Sequence, residues 1–302
     1  MTHPIASVMA PRTKDANGGI AVSFEFFPPK TEAMEAQLWD AIRALAPLRP
    51  AFTSVTYGAG GSTRERTHAV VTRIQTEIGL PAAAHLTCVN ATRAEIDAIA
   101  DSYWQAGITH IVALRGDPPG GIGGEYVPTL GGYAYANELV AGLLALHPFE
   151  ISVAAYPEGH PQCASLSQDL DALKRKIDAG ATRAITQFFF DPADYARFLE
   201  RAQKAGIAVP IVPGILPLTN FTRAAEMAKS CGARIPDRLH SRFQGLETDA
   251  EARQAVASAV AVEHCQELCR LGVRQFHFYT LNRAELVQDI CGQLGIHPVQ
   301  SL

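Results

Sequence analysis

Short strand-like runs alternate with helical patterns along the whole chain, and this alternation constrains the fold more than any other feature. Segments between the runs, such as 32–48, repeat apolar residues at spacings of three and four, as amphipathic helices do. Eight βα units in 302 residues predict the α/β class, as a single (β/α)8 TIM barrel. The eight strand-like runs are 20–26, 51–57, 82–88, 108–116, 150–156, 182–190, 208–214 and 273–280.

The domain organisation follows from the same pattern. No linker or change of composition divides the chain, so residues 19–302 are expected to form one catalytic barrel domain. Residues 1–18 have no periodic pattern and are expected to be a disordered tail. The alternative architecture is an open, doubly wound sheet, but the first strand is followed by FFPPK instead of the glycine-rich turn typical of that fold.

Composition limits the partners and the compartment. The chain carries 26 basic and 30 acidic residues, a net charge of −4, and no block of like charge. This balance disfavours nucleic acids and membrane surfaces and favours a small-molecule partner. The chain shows no signal-peptide pattern and no long apolar run, which predicts a soluble cytoplasmic protein. Its six cysteines lack paired spacing, so structural roles are expected and no metal site.

Two connections are longer than a barrel needs, 117–132 and 231–249. Long glycine- and proline-rich loops after barrel strands usually form lids or ligand walls. The GGIGG stretch within the first loop is compatible with a phosphate-binding loop. We interpret it as a flexible connection because it does not open a helix directly after a strand.

Polar side chains stand at the C-terminal ends of nearly all the predicted strands, where barrels carry their chemistry. Such a set, converging on one pocket, is suited to holding a large polar ligand. In chain order it comprises Glu25, Thr56, His85, Arg115, Asp117, Tyr156, Gln187, the Pro213–Gly214 turn and the Tyr279–Thr280 pair.

Acidic residues in different surroundings suggest different roles. Glu25 lies among phenylalanines in SFEFFPPK, which is expected to raise its pKa and keep it protonated as a general acid. The alternative is a buried salt bridge to a barrel lysine or arginine. Asp117 adjoins Arg115 on a loop and is expected to be ionised. Asp169 and Lys176 share a helix face, and their spacing alone favours a solvated charged surface.

The motifs resemble those of the methylenetetrahydrofolate reductase family. In order from about residue 20 to 297, the matching stretches are SFEFFPPK, VTYGAGGSTR, HLTC, ALRGDPP, ISVAAYPEGHP, LKRKIDAGA, AITQFFFD, PGILPLTNF, RIP and FHFYTLNRAE. The resemblance implies an FAD-dependent TIM-barrel oxidoreductase of one-carbon metabolism and methionine biosynthesis, with noncovalent FAD and NADH or NADPH as co-substrate. It further implies a homo-oligomer.

Roles follow from the resemblance position by position. Glu25 resembles the general acid that activates the folate. Asp117 is similar to the aspartate that contacts the pterin and tunes the flavin, and Gln187 to a glutamine that orients folate and nicotinamide. Arg283 and Met227 fall where folate is bound. The positions that match FAD-binding residues are Thr56, His85, Arg115, Gly116, Asp117, Tyr135, Tyr156, His160, Asp169 and Lys176.

Two positions depart from the family pattern. Met227 stands where the family has an aromatic residue that stacks on folate and nicotinamide, and Ala172 where a flavin-contacting asparagine is usual. Weaker stacking would affect the nicotinamide step, so one alternative is an enzyme that mainly oxidises methyltetrahydrofolate and uses NAD(P)H poorly. Two different functions are also compatible with a barrel of this kind, a non-catalytic flavin- or folate-binding protein and a flavin-free aldolase or methyltransferase-like enzyme.

Overall fold

The computed structural model of the protein describes residues 19–58, 64–118, 121 and 124–299, and parallel strands alternate with helices through them. The expected tail, residues 1–18, lies outside the described residues, as does most of GGIGG. The strands are β1 Ala21–Phe26, β2 Thr53–Val55, β3 Ala82–Thr87, β4 His110–Leu114, β5 Glu150–Ala155, β6 Arg183–Thr186, β7 Ile211–Val212, β8 Gly214–Ile215 and β9 Gln275–Tyr279. The α-helices are α1 Glu32–Leu45, α2 Arg64–Arg73, α3 Arg93–Gln105, α4 Ala136–Leu146, α5 Leu166–Asp178, α6 Pro192–Lys204, α7 Phe221–Cys231, α8 Asp237–Phe243, α9 Ala250–Arg270 and α10 Glu285–Gln293.

The sheet has nine strands in the order β7-β6-β5-β4-β3-β2-β1-β9-β8, and every pairing is parallel. The seventh predicted strand is divided at Pro213, because proline has no N–H to donate to a ladder. Its first part pairs with β6 and its second with β9, so the two parts close the circle. The predicted TIM barrel is thus confirmed, with one strand in two pieces.

Alternation along each strand separates two kinds of environment. Val22, Phe24 and Phe26 of β1 pack into the large core between strands and helices. The intervening Ser23 and Glu25 face the barrel interior, since successive side chains of a strand point to opposite sides. Among the described residues, the interior has a small apolar cluster formed by Phe52, Ala83, Val112 and Ile185. Polar side chains from the strands, such as Ser23, His85 and His277, also lie in the interior.

Local signals set the helix boundaries. Thr92 and Glu95 form a capping box at the start of α3, and Asp191 caps α6 just before Pro192. The segment 231–249, expected to be an extended loop, contains α8 because Pro236 starts a short helix whose Leu239 and Phe243 are buried. Within the described parts of the chain, no helix is long and apolar enough to cross a membrane.

Candidate active site

The turn after β4 is shaped by a glycine. Gly116 has φ of +86°, and a Cβ at this position would lie 2.5 Å from Cγ1 of Val89 and 2.9 Å from Cβ of Thr87. Only glycine fits this backbone, which brings the chain close to the end of β3. The Arg115 guanidinium beside it lies 4.5 Å from the centre of the Tyr126 ring, and its Nε donates to the Gly116 carbonyl.

A cavity of about 480 Å³ opens at the C-terminal ends of β3 to β6. It has the size and the mixed lining expected of a small-molecule or cofactor site. The residues of the sequence prediction that line it are Arg115, Gly116, Asp117, Tyr135, Tyr156, His160, Asp169, Lys176 and Gln187. Ala172 lines it as well.

Charged groups on α5 and the preceding loop face this cavity. Lys176 donates to the Ala154 carbonyl of β5 at 2.5 Å, and burial lowers its pKa to about 8 in spite of the nearby Asp169 carboxylate. Asp169 is buried, which raises its pKa against the opposing effect of Lys176. Burial, with Arg115 and Lys176, lowers the pKa of His160 to about 4. The face shared by Asp169 and Lys176 is therefore directed inward and is not a solvated surface.

Glu25 lies in the barrel interior between two histidines from distant strands. Its Oε2 is 3.3 Å from Nε2 of His85 on β3 and 3.4 Å from Nε2 of His277 on β9. The contact with His85 lacks hydrogen-bond geometry, whereas the one with His277 has it. The Glu25 side chain is 11% exposed.

The expectation that Glu25 has a raised pKa is wrong. Burial does raise its pKa, but the adjacent His85 and His277 together outweigh burial and lower it to about 2. The phenylalanines that suggested an apolar setting face the outer core, apart from Phe27. The alternative of a buried ion pair is closer to the structure, with histidines in place of lysine or arginine.

A hydrogen-bond network holds this cluster in place. His277 is fully buried, and its Nδ1 is 2.7 Å from the Ser23 hydroxyl. Thr280 donates to the Glu25 carbonyl through both its hydroxyl, at 2.7 Å, and its backbone N–H, at 3.2 Å. The Tyr279 hydroxyl donates across the barrel to the Thr186 carbonyl at 2.7 Å. Strands β1 and β9 are therefore joined at the height of Glu25.

Besides Glu25 and His85 in the barrel interior, three predicted site residues lie away from the cavity lining. Thr56 follows β2, and its carbonyl accepts from Thr67. Met227 is on α7, and Arg283 lies exposed after β9. Among the described residues, no group of three or more His, Cys, Asp or Glu could hold a metal ion.

Sequence reasoning missed several residues of the site. Tyr57, Thr87, Asn137, Gln168 and Arg175 also line the cavity. The alternation in QFHFY could have identified His277, the polar residue between Phe276 and Phe278 that must face inward. Ser23 stands two residues before Glu25 and shares its side of β1 for the same reason. No sequence pattern indicates which interior residues contact each other across the barrel.

Comparisons with known proteins identify the family of the chain. The family model described as methylenetetrahydrofolate reductase matches residues 11–295. The chain is 51% identical to the 5,10-methylenetetrahydrofolate reductase of Salmonella typhimurium, over 94% of each chain. It is also 51% identical to the Escherichia coli enzyme of that name, with the same coverage. With the Arabidopsis thaliana methylenetetrahydrofolate reductase (NADH) 1 it shares 37% identity over 92% of this chain and 49% of that one.

Among solved structures, an uncharacterized protein from Clostridium thermocellum, described as binding two copies of 5-methyl-5,6,7,8-tetrahydrofolic acid, has a TM-score of 0.60. At 13% identity, over 91% of this chain and 94% of that one, this likeness supports the barrel fold alone. The family match and the level of identity establish the relationship by sequence. The protein is an oxidoreductase and belongs to the methylenetetrahydrofolate reductase family.

Proposed function

We propose that this protein interconverts 5,10-methylenetetrahydrofolate and 5-methyltetrahydrofolate by hydride transfer through noncovalently bound FAD, with NADH or NADPH as reductant. Family membership supports the reaction class. The observation that carries the proposal is the position of Glu25 beside the cavity. Strand β3 links the two, since His85 contacts Glu25 and Thr87, two residues further on, lines the cavity.

The cavity fits FAD by the chemistry of its lining. Arg115, Arg175 and Lys176 supply cations suited to a pyrophosphate. The buried Thr87 hydroxyl has no hydrogen-bond partner among the described residues and is free to bind a ligand. The Gly116 turn lets a ligand approach the backbone. When bound, FAD supplies the hydride-transfer chemistry, and the protein supplies binding, orientation and charge.

Converting the methylene bridge of the folate into a methyl group takes one hydride and one proton. Glu25 is the residue we propose to deliver that proton to the folate amine. Because its pKa is about 2, Glu25 is ionised at neutral pH and must first receive a proton from a neighbour. His277, whose Nε2 lies 3.4 Å from the carboxylate, is positioned to give it.

Two other polar groups orient the reactants in this proposal. The Gln187 Oε1 accepts from the backbone N–H of Phe188, which fixes the amide at the edge of the cavity. Asp117 places a carboxylate on the same wall, close to where the folate pterin would meet the flavin ring. Arg283 and Met227 would contact the folate from outside the cavity.

An anaerobic absorbance experiment tests this function. The purified protein should show a flavin spectrum that bleaches when NADH or NADPH is added and returns when 5,10-methylenetetrahydrofolate follows. Absence of flavin after reconstitution with FAD, or a bleached spectrum that the folate leaves unchanged, would contradict the proposal.

Met227 favours a second candidate, in which the same site mainly oxidises 5-methyltetrahydrofolate. Its side chain is flexible and the residue is 37% exposed, so it offers less stacking to a nicotinamide than an aromatic ring would. In that case 5-methyltetrahydrofolate should bleach the flavin and NADH or NADPH should not. Met227→Phe should then increase the rate of bleaching by the nicotinamide.

A further inference from the structure

A pocket of about 200 Å³ lies between helices α8 and α9 and the segments that follow β6 and β8. It shares no lining residue with the cavity proposed for FAD. It is smaller than the pockets of about 300–1,000 Å³ that hold drug-sized ligands, so an occupant must be small. Its walls are mainly apolar and include Phe189, Phe190, Ile215, Leu216, Leu218 and Val260.

One polar atom at this pocket lacks a partner. His264 on α9 lines the pocket, with its ring centre 5.0 Å from that of Phe189. Its Nε2 is buried and has no hydrogen-bond partner among the described residues. A buried polar atom without a partner costs stability, because it has lost its bond to water and gained none in exchange. A molecule in the pocket that bonds to Nε2 would remove this cost.

The protonation of His264 defines what this partner must be. Burial and the nearby Arg238 lower the pKa of His264 to about 4, against Asp191 and a hydrogen bond with the Phe190 backbone, which raise it. The ring is therefore neutral at pH 7. Since Nε2 has no partner, the bond to the Phe190 backbone belongs to Nδ1, and a carbonyl acceptor places the proton there. Nε2 thus offers a lone pair, and the missing partner is a donor.

The charges at the rim of the pocket favour a neutral ligand. Helix α8 contributes Arg238 and Arg242, and α9 contributes Glu263 and Glu267, all exposed. Arg242 pairs with Glu263, and Arg238 donates to the Phe190 carbonyl at 3.1 Å. The two carboxylates disfavour an anion and the two arginines disfavour a cation. Because these side chains are exposed, solvent reaches the rim and a ligand can enter there.

We propose that this pocket is a binding site for a small, neutral aromatic molecule that donates one hydrogen bond to Nε2 of His264, a class that includes indoles and phenols. The apolar walls take the body of the molecule, and the rings of Phe189 and Phe190 favour an aromatic one. The single N–H or O–H meets the single free acceptor. This inference does not depend on the proposed reductase function.

The pocket adjoins two segments that continue into the candidate active site. Phe190 follows Gln187 in the segment after β6, and its ring centre is 5.7 Å from that of Phe188. Leu218 lies shortly before α7, the helix that carries Met227. A ligand in the pocket would pack against both segments from behind. We therefore expect its binding to restrict their motion.

The test compares indole with benzofuran, which has the same shape but an oxygen in place of the N–H. Calorimetric titration of the full chain measures the affinity for each probe. The ratio of indole affinity to benzofuran affinity should be about 10-fold lower in His264→Leu than in the wild type, because the variant lacks the acceptor. His240→Leu is the matched control, since His240 is exposed on α8 and does not line the pocket. Its ratio should equal that of the wild type.

Two further measurements locate the bound probe. Ala261 is buried on α9 and lines the pocket, so Ala261→Leu fills part of it and should abolish binding of both probes. In the wild type, hydrogen exchange followed by mass spectrometry should show slower exchange in 187–192 and 214–218 when indole is present. Exchange in α5, which borders the other cavity, should stay unchanged. The exchange measurement needs no variant and so does not depend on the folding of Ala261→Leu.

Three results would overturn the inference. No binding of either probe up to its solubility limit would mean that the pocket holds water only. An affinity ratio in His264→Leu equal to or above that of the wild type would show that Nε2 does not select a donor. Binding that leaves exchange in 187–192 and 214–218 unchanged would place the probe elsewhere on the protein. None of these results bears on the reductase function, which the flavin spectrum tests separately.

Discussion

Glu25 combines a buried position with a lowered pKa, and its stability effect can be measured. A carboxyl with a pKa of about 2 in the folded protein, against an ordinary value of 4.5, stabilises the fold above pH 4.5 and loses that effect as pH falls towards 2. The shift corresponds to about 3 kcal/mol at neutral pH, of which about 2 kcal/mol is lost by pH 3.

We therefore expect the free energy of unfolding to fall more steeply between pH 6 and pH 3 in the wild type than in Glu25→Gln. Urea unfolding at both pH values measures this difference. The exposed Glu226→Gln is the control and should follow the wild type. Parallel pH dependence of the wild type and Glu25→Gln would show that the histidines do not stabilise the charged carboxylate.

Lys176 is the residue whose removal should affect the cofactor most directly. Its amine is held against the Ala154 carbonyl at the cavity, where it would meet a phosphate of FAD. Hydrogen bonds to charged groups contribute about 1.5–3 kcal/mol, so Lys176→Met should weaken FAD binding about 10-fold or more. Fluorescence titration of the apoprotein with FAD measures this.

Lys174 on the same helix supplies the control. It pairs with Asp178, with side chains 34% and 58% exposed, and it does not line the cavity. Lys174→Met should bind FAD with wild-type affinity. If both variants bound FAD equally well, the α5 face would not be part of the cofactor site.

At the scale of elements, the turns after the strands place the chemistry, and the turn at Gly116 is the most restrictive. Gly116→Ala combines a left-handed backbone with a Cβ 2.5 Å from Val89. Gly79 has a similar φ of +75° but open space around it. We expect Gly79→Ala to destabilise by about 1 kcal/mol from backbone conformation alone.

The Gly116→Ala variant should lose about 2 kcal/mol more, because the neighbouring chain must move. It should also bind FAD more weakly, since the displaced turn carries Arg115 and Asp117. Thermal and urea unfolding of both variants measure the difference. Equal stability would mean that the β3 and β4 ends are not tightly packed.

The sequence predicted the elements more reliably than the contacts between them. Strand alternation and helix spacing follow from local chemistry, so the barrel and the residues at its strand ends could be expected from the sequence. The seventh strand is divided at Pro213. The stretch AVPIVPG contains this proline, but the division could be recognised only from the pairing of the two parts with different strands. The helix α8 was missed because its seven residues are too few for a periodic pattern.

At the scale of the whole molecule, closure of the barrel produces contacts between distant residues that the sequence alone did not reveal. His277 lies 252 residues after Glu25, and only the pairing of β9 with β1 brings them together. Together with His85, that contact reverses the expected direction of the Glu25 pKa shift. The same closure gives the barrel two mouths, one carrying the cavity that we propose binds FAD and the other a cavity at the N-terminal ends of the strands.

The most direct test of the role of Glu25 is to measure the two half-reactions of Glu25→Gln separately under anaerobic conditions. The variant should bind FAD normally and be reduced by nicotinamide at a rate close to that of the wild type. Its reoxidation by 5,10-methylenetetrahydrofolate should be about 10²- to 10⁴-fold slower, the usual contribution of a general acid. Equal loss of both half-reactions, or normal reoxidation, would contradict the role of Glu25.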